Sequence, residues 1–171
     1  FSREGPGLLI HSPKRKNPKK IYNPPEIKDL VIVETHIRDI LSKAPVNISD
    51  QERKGFVGLT KWLQSENCYL RKLGANAVEL QPIQQFDSRK KDDYHWGYMP
   101  VNYFSPASDY ATSPENSVQE VDQMIEALHD AGLAVILDVV YNHMGIPNHL
   151  LNIDRELYLM TDELGRLTNH S

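Results

Sequence analysis

The sequence contains one cysteine, Cys68, in 171 residues, so no disulfide can close within the chain and no cysteine-rich zinc site can be built. That favours a reducing compartment, and a cytoplasmic location is the matching expectation. No run of 18 or more apolar residues occurs, so the sequence offers no membrane-spanning helix, and no membrane partner is expected. A basic excess is also missing. The 19 Lys and Arg against 23 Asp and Glu leave a net charge of −4, which argues against nucleic acid as a partner. No Gly-x-Gly-x-x-Gly follows an apolar run and no Gly-x-x-x-x-Gly-Lys-Ser/Thr occurs, so a phosphate-cradling loop is not expected. Length excludes a closed eight-stranded (β/α) barrel, which takes roughly 250 residues. The chain opens on Phe1-Ser2-Arg3-Glu4-Gly5, with neither an initiator Met nor the charged-then-apolar pattern of a signal peptide, and is expected to be a piece of a longer protein.

What is present falls into two parts. Residues 1–30 are rich in Gly, Pro, Lys and Asn and show no period, which reads as an extended lead-in or linker. The basic residues there, Lys14-Arg15-Lys16 and Lys19-Lys20, are interleaved with proline and lack an aromatic stacking platform, so they read as a solvated connector. From residue 31 onward the patterning is that of alternating strands and helices. Leu30 to Ile37 is a β-branched apolar run fit for a buried strand. Ser49 and Glu52 have the form of a capping box, although Gly55 and Gly58 predict that a helix starting there is short or broken. Trp62, Leu63, Tyr69, Leu70 and Leu73 then predict a helix closed by Gly74, followed by a strand at Ala77 to Leu80.

A third unit repeats the pattern. Ser117 and Glu120 suggest a capping box, Val121, Met124, Ile125 and Leu128 fall at i, i+3, i+4 and i+7, and Gly132 marks the stop. Leu133 to Tyr141 is almost continuously apolar, the mark of a parallel strand buried on both faces. Two consecutive β-α-β units imply right-handed crossovers and a parallel sheet, either an open doubly wound sheet or part of a barrel. Between Gln81 and Ser113 the connection is far longer than usual, and Tyr94, His95, Trp96, Tyr98, Tyr103, Phe104 and Tyr110 make it too aromatic for disorder. It is expected to fold over the carboxyl ends of the strands, where such sheets bind ligands. There it would meet His36, Arg38 and Asp39 from the first strand and Asp138, Asn142 and His143 from the third. Aromatic faces beside Asp, Asn, His and Arg suit a pyranose, whose C–H face packs on a ring while its hydroxyls seek polar side chains.

The segment Asp138-Val139-Val140-Tyr141-Asn142-His143 resembles the first signature of the alpha-amylase superfamily of glycoside hydrolases. Three further stretches resemble the family in the required order: Val33 to Asp39, Leu73 to Ile83, and Tyr94 to Pro100. The Trp96-Gly97-Tyr98 form, with Asn102 to Pro106, is most similar to the glycogen-debranching, isoamylase and pullulanase branch, as is the tail from Leu157 to Ser171. The resemblance covers about Val31 to Ser171 and implies an α/β fold: a partial (β/α)8 TIM barrel of about the first three β-α units, with parallel strands and a long aromatic βα loop. Residues 31–171 would be the N-terminal part of the catalytic barrel, and an upstream β-sandwich module in a longer parent is implied.

By this resemblance Tyr98 would stack on the sugar at the cleavage subsite, His143 would hydrogen-bond the same sugar, and Trp96 would wall the pocket. Asp138 would anchor the site. Asn142 matches a position that binds calcium in true alpha-amylases and is often metal-free in debranching relatives, so no cofactor is expected. Each residue has a plain alternative: core packing for Tyr98 and Trp96, a hydrogen-bonded loop residue for His143, a structural carboxylate for Asp138. His36 and Arg38 divide evenly between ligand contact and internal pairing. The implied substrate is an α-glucan of glycogen or starch type, hydrolysed at α-1,6 branch linkages with retention. Retaining glycosidases need two carboxyl groups about 5 to 5.5 Å apart across the scissile bond, and the family draws its three catalytic acids from later strands. No catalytic residue is therefore assigned here. Glu34, Glu79, Asp92, Asp93 and Asp138 are acids without that role; strand acids such as Glu34 and Glu79 are expected as buried partners of His or Arg. The rival reading is a non-catalytic carbohydrate-binding or interaction fragment. The expected partners are an α-glucan oligo- or polysaccharide, the remainder of the barrel in a longer parent, and further copies of the chain through exposed strand edges.

Overall fold

The computed structural model describes residues 21–87 and 96–168. The basic cluster at Lys14 to Lys20 and the loop residues Asp92, Asp93, Tyr94 and His95 lie outside the described residues. In chain order the elements are β1 (Ile32–Thr35), α1 (Ile37–Ser42), α2 (Phe56–Gln64), β2 (Ala77–Leu80), β3 (Gln84–Phe86), β4 (Pro100–Pro106), α3 (Ser117–Asp130), β5 (Ala134–Leu137), α4 (Leu150–Ile153) and α5 (Arg155–Tyr158). Two sheets result: a parallel sheet in the order β1-β2-β5, and an antiparallel pair β3-β4.

The parallel sheet is in register across all three strands, with Val33 opposite Val78 and Val78 opposite Val135. These valines face the core, where α2 and α3 contribute Phe56, Leu59, Trp62, Leu63, Val121, Met124 and Leu128. Side chains alternate along a strand, so the next row, Glu34, Glu79 and Ile136, faces the other way. On that second face Ala77 and Ala134 are buried, Glu79 and Ile136 are half-buried, and Ile32 and Glu34 are exposed. Leu137, on the same face as Val135, is also exposed, at the carboxyl end of the strand. The strand at Leu133 to Tyr141, expected to be buried on both faces, is buried at Leu133 and Ala134 and grows more exposed towards Leu137 and Val139, and its regular part is shorter.

Several helix expectations are corrected. The helix predicted from Trp62 to Leu73 ends at Gln64, where the polar run Ser65-Glu66-Asn67 interrupts the apolar face and Ser65 donates its hydroxyl to the Trp62 carbonyl at 2.7 Å. Tyr69–Lys72 forms a separate 3-10 turn. The helix that starts at the Ser49–Glu52 box is short, as expected: a 3-10 turn at Glu52–Lys54 stops at Gly55, and α2 begins separately at Phe56. A Cβ on Gly55 would lie 1.8 Å from the Tyr110 carbonyl oxygen, and one on Gly58 2.0 Å from that of Glu52. The Ser49–Glu52 capping box forms as expected, with the Ser49 N–H donating to the Glu52 carboxylate at 2.9 Å and the Glu52 N–H to the Ser49 hydroxyl at 3.3 Å.

At α3 the capping box does not form. A 3-10 turn at Pro114–Asn116 runs directly into the helix, so Ser117 is already inside it and gives its hydroxyl to the Pro114 carbonyl at 2.9 Å. The buried Glu120 carboxylate instead takes the N–H and hydroxyl of Thr112. The far end of α3 follows expectation. Gly132 at φ 79° closes a Schellman motif, with Leu133 N–H reaching the Leu128 carbonyl and Gly132 N–H that of His129, both at 2.9 Å.

Part of the lead-in is held against the sheet's other end. Tyr22 stacks on His129 with ring centroids 4.2 Å apart, and the Asn76 amide ties to Asp29 O and Val31 N.

Candidate functional site

The carboxyl ends of β1, β2 and β5 are where the long loop returns to the sheet. That loop is built around the β3-β4 hairpin, whose ladder is extended by Asp87 N–H donating to the Met99 carbonyl at 2.8 Å. Gly97, at φ 84°, brings the chain so close to Pro82 that a Cβ would sit 2.6 Å from the Pro82 carbonyl oxygen. This approach delivers Tyr98 to the end of β5. Asp138 continues the β5 ladder, its N–H donating to the Leu80 carbonyl at 3.0 Å, and shares the Glu79 face of the sheet.

There the Tyr98 hydroxyl donates to Asp138 Oδ2 at 2.5 Å. The phenol is held above its ordinary pKa, first by burial and then by the Asp138 carboxylate, with Glu34 and Glu79 adding to the effect. It is a fixed donor. Glu34 and Glu79 are not buried partners of His or Arg, as had been expected; Glu34 is exposed and accepts from the Gln81 amide at 3.0 Å. The alternation of the strands turns both acids to the face opposite the core valines, beside Tyr98.

His143 completes the cluster from the loop after β5. Its Nε2 lies 2.6 Å from the Tyr98 carbonyl oxygen, which can only accept, so Nε2 carries the proton and donates. Its Nδ1 lies 3.1 Å from Asn142 Oδ1. Asn142 is exposed, and among the described residues no group of three or more His, Cys, Asp or Glu side chains is placed to hold a metal ion.

The loop is fastened to the hairpin by residues that sequence reasoning passed over. Gly145 N–H donates to the Pro100 carbonyl at 2.9 Å and Ile146 N–H to the buried Asp87 carboxylate at 3.2 Å. A Cβ on Gly145 would lie 2.6 Å from the Met99 carbonyl oxygen. Gly145 two residues after His143 was the available signal; Asp87 offered none. Tyr103 also joins the site, packing against Tyr141 at 5.2 Å between centroids.

Trp96 stands at the edge, half-exposed, with its indole N–H donating to Asp39 Oδ2 at 3.0 Å. Other expected members lie inside the fold. His36 is 3% exposed, caps α1 by accepting the Arg38 N–H, and its Nε2 meets the Tyr110 hydroxyl at 2.8 Å. Because Nδ1 accepts, Nε2 carries the proton. Burial lowers the pKa of His36 to about 4, with Asp39 opposing and Arg38 reinforcing the shift. Arg38 bonds to the carbonyls of Lys54 and Asp109 and lies over the Tyr110 ring. Tyr110, grouped with the loop aromatics in the sequence, is a core residue.

The cluster therefore offers a tethered tyrosine ring beside acids, an amide and an imidazole, on the sheet end that suits a sugar. Residues 56–155 match the alpha-amylase family, described as the alpha amylase catalytic domain. The pullulanase of Bacillus subtilis (strain 168) is 37% identical over 136 residues, 68% of this chain and 18% of that protein. Isoamylase 3, chloroplastic, of Oryza sativa subsp. japonica is 33% identical over 162 residues, 84% of this chain and 20% of that protein. Among solved structures, a pullulanase from Anoxybacillus sp. LM18-11 complexed with maltotetraose superposes with a TM-score of 0.69 at 27% identity, covering 95% of this chain and 25% of that one. The chain spans about a fifth of the length of the curated relatives it matches. With its parallel α/β architecture and the Tyr98, Asp138 and His143 cluster at the strand ends, the chain belongs to the alpha-amylase family of glycoside hydrolases, in the branch of pullulanase and isoamylase.

Proposed function

We propose that residues 31–171 form the first three β-α units of the barrel of an α-glucan debranching hydrolase, with residues 1–30 leading into it, and that the protein containing them hydrolyses α-1,6 branch linkages with retention. In this reading Tyr98 stacks on the sugar at the cleavage subsite, His143 and Asn142 present polar groups to it, and Asp138 fixes the Tyr98 ring. The observation that carries the reading is the Tyr98–Asp138 hydrogen bond, which sets an aromatic face at the carboxyl end of a parallel sheet. Relatives in the pullulanase and isoamylase branch supply the linkage, and the maltotetraose complex of one structural relative supplies the ligand class.

The catalytic carboxylates are assigned to strands outside these residues, and the 171-residue chain is proposed to bind glucan without turning it over. Glu34 and Glu79 sit side by side on neighbouring strands of one face and do not oppose each other across a bond, as a retaining pair must. The test is release of reducing ends from a branched α-glucan, run beside calorimetric titration with maltotetraose. Binding that Tyr98→Ala and His143→Ala both weaken, without turnover, is the expected result. Turnover by this chain would mean that a carboxylate pair lies within it and would overturn the assignment.

A further inference from the structure

Tyr141 is 73% exposed, yet one side of its ring is occupied: Tyr103 packs against it with centroids 5.2 Å apart and planes inclined by 41°. Tyr103 is fixed from two directions. It stands on β4, half-buried, and its hydroxyl donates to the His143 carbonyl at 3.4 Å. The contacts run on, since His143 Nε2 donates to the Tyr98 carbonyl at 2.6 Å. The pair is therefore continuous, through His143, with the Tyr98 cluster. Single exposed aromatics are common on protein surfaces. Tyr141 differs in leaning on a second, anchored ring, with exposed Asn142 and half-buried His143 as its next two residues in the chain. That arrangement is an apolar face with hydrogen-bonding groups at its margin.

We propose that Tyr141, backed by Tyr103, is a second stacking platform beside His143, taking a pyranose of an α-glucan in addition to the one at Tyr98. The inference rests on the glucan-binding reading above and extends it by two residues to which that reading gives no role. A pyranose presents C–H groups that pack on an aromatic face, and the face of Tyr141 away from Tyr103 is the open one. Because Tyr103 already limits the motion of Tyr141, stacking there costs less ordering than on a free side chain. The platform is the ring; the Tyr141 hydroxyl is not needed for it.

The experiment incorporates fluorotyrosine into the 171-residue chain and follows its fluorine NMR spectrum during titration with maltotetraose, beside calorimetric titration of Tyr141→Ala, Tyr141→Phe and Tyr98→Ala. The sequence has eight tyrosines, and Tyr141→Phe identifies the Tyr141 resonance by removing it. Maltotetraose is expected to shift that resonance, with a midpoint that matches calorimetry. Tyr141→Ala should weaken maltotetraose about fivefold, and Tyr141→Phe, which keeps the ring, by less than about twofold. An exposed side chain is cheap to truncate, so Tyr141→Ala should leave thermal unfolding nearly unchanged. If it does not, the fluorine titration decides alone: a Tyr141 resonance that maltotetraose leaves unmoved overturns the proposal. So does a resonance that moves with protein concentration instead, which would assign the ring to contact between copies. Affinity that Tyr98→Ala lowers while Tyr141→Ala leaves it intact also overturns it and spares the glucan reading. No maltotetraose binding by the unaltered chain overturns both.

Discussion

The hydroxyl of Tyr98 donates to Asp138 Oδ2 at 2.5 Å, joining two residues 40 positions apart in the chain. One comes from the loop that arches over the sheet and the other from the strand end beneath it, so the bond decides where the ring stands. Stacking and tethering are separable contributions. Tyr98→Phe keeps the ring and loses the tether, and is expected to weaken maltotetraose binding by no more than about threefold; Tyr98→Ala removes the packing face and should cost about tenfold. Calorimetric titration of both variants checks this, and equal losses would show that the hydroxyl rather than the ring carries the affinity.

His36 makes stability depend on pH in a defined window. Burial holds the folded pKa at about 4, whereas the unfolded chain takes up a proton near the ordinary 6.5. Between those values the unfolded state binds more protons, so stability rises with pH. The contribution of His36 is therefore complete above about 6.5 and is lost as pH falls towards 4, at up to about 1.4 kcal/mol per pH unit. Urea unfolding from pH 4.5 to 7.5, compared with His36→Gln, isolates it from the carboxylates. The difference between the two chains should slope in that window and be flat above it.

Two glycine substitutions should differ sharply. Gly55→Ala drives a methyl group to 1.8 Å from the Tyr110 carbonyl oxygen, a backbone atom that cannot swing aside. Its expected cost is about 3 kcal/mol. At Gly74, φ is 75° and nothing lies within 4 Å of an added Cβ, so Gly74→Ala meets only the left-handed backbone penalty of about 1 kcal/mol. Thermal unfolding of the two variants gives the ranking directly, and a Gly55→Ala as mild as Gly74→Ala would mean that α2 shifts away from Tyr110.

The parallel units were legible because each β-α-β repeat carries its own local signals: a β-branched run, an amphipathic face, a closing glycine. Gly132 and the strand at Ala77 to Leu80 follow from those signals alone. The end of α2 at Gln64 did not, since spacing counts apolar residues and gives little weight to the polar break at Ser65 to Asn67. Gly55 does end the short turn that starts at the Ser49–Glu52 box, as the sequence suggested, but the reason both Gly55 and Gly58 are needed is not local. Propensity treats a glycine as a helix breaker, whereas here the close passage of Tyr110 and Glu52 requires the missing side chain, and that passage is set by tertiary packing. The site divides in the same way. Tyr98, Asp138, Asn142 and His143 stood out through short motifs, and the structure brings these four together. Asp87 reaches the distant Ile146 N–H, and nothing local in the sequence marks it. Tyr110 shows the converse: its place among loop aromatics suggested a ligand, and its neighbours Phe56, Phe86 and His36 make it core.

The open edges of the parallel sheet carry the last prediction. Among the described residues β1 and β5 are the edges of the parallel sheet, with Ile32, Leu137 and Val139 exposed, and each edge presents unpaired backbone groups. Apolar side chains beside open edges favour pairing with another copy, so the 171-residue chain should associate as its concentration rises. Ile32→Lys puts a charge on the β1 edge, where a second strand would have to bury it. Ile32 is already 46% exposed, so the substitution should change thermal stability little while shifting sedimentation velocity profiles towards the monomer. Association unaffected by Ile32→Lys would assign the contact to the other exposed apolar surface, around Leu157, Met160 and Leu164 in the segment after α4.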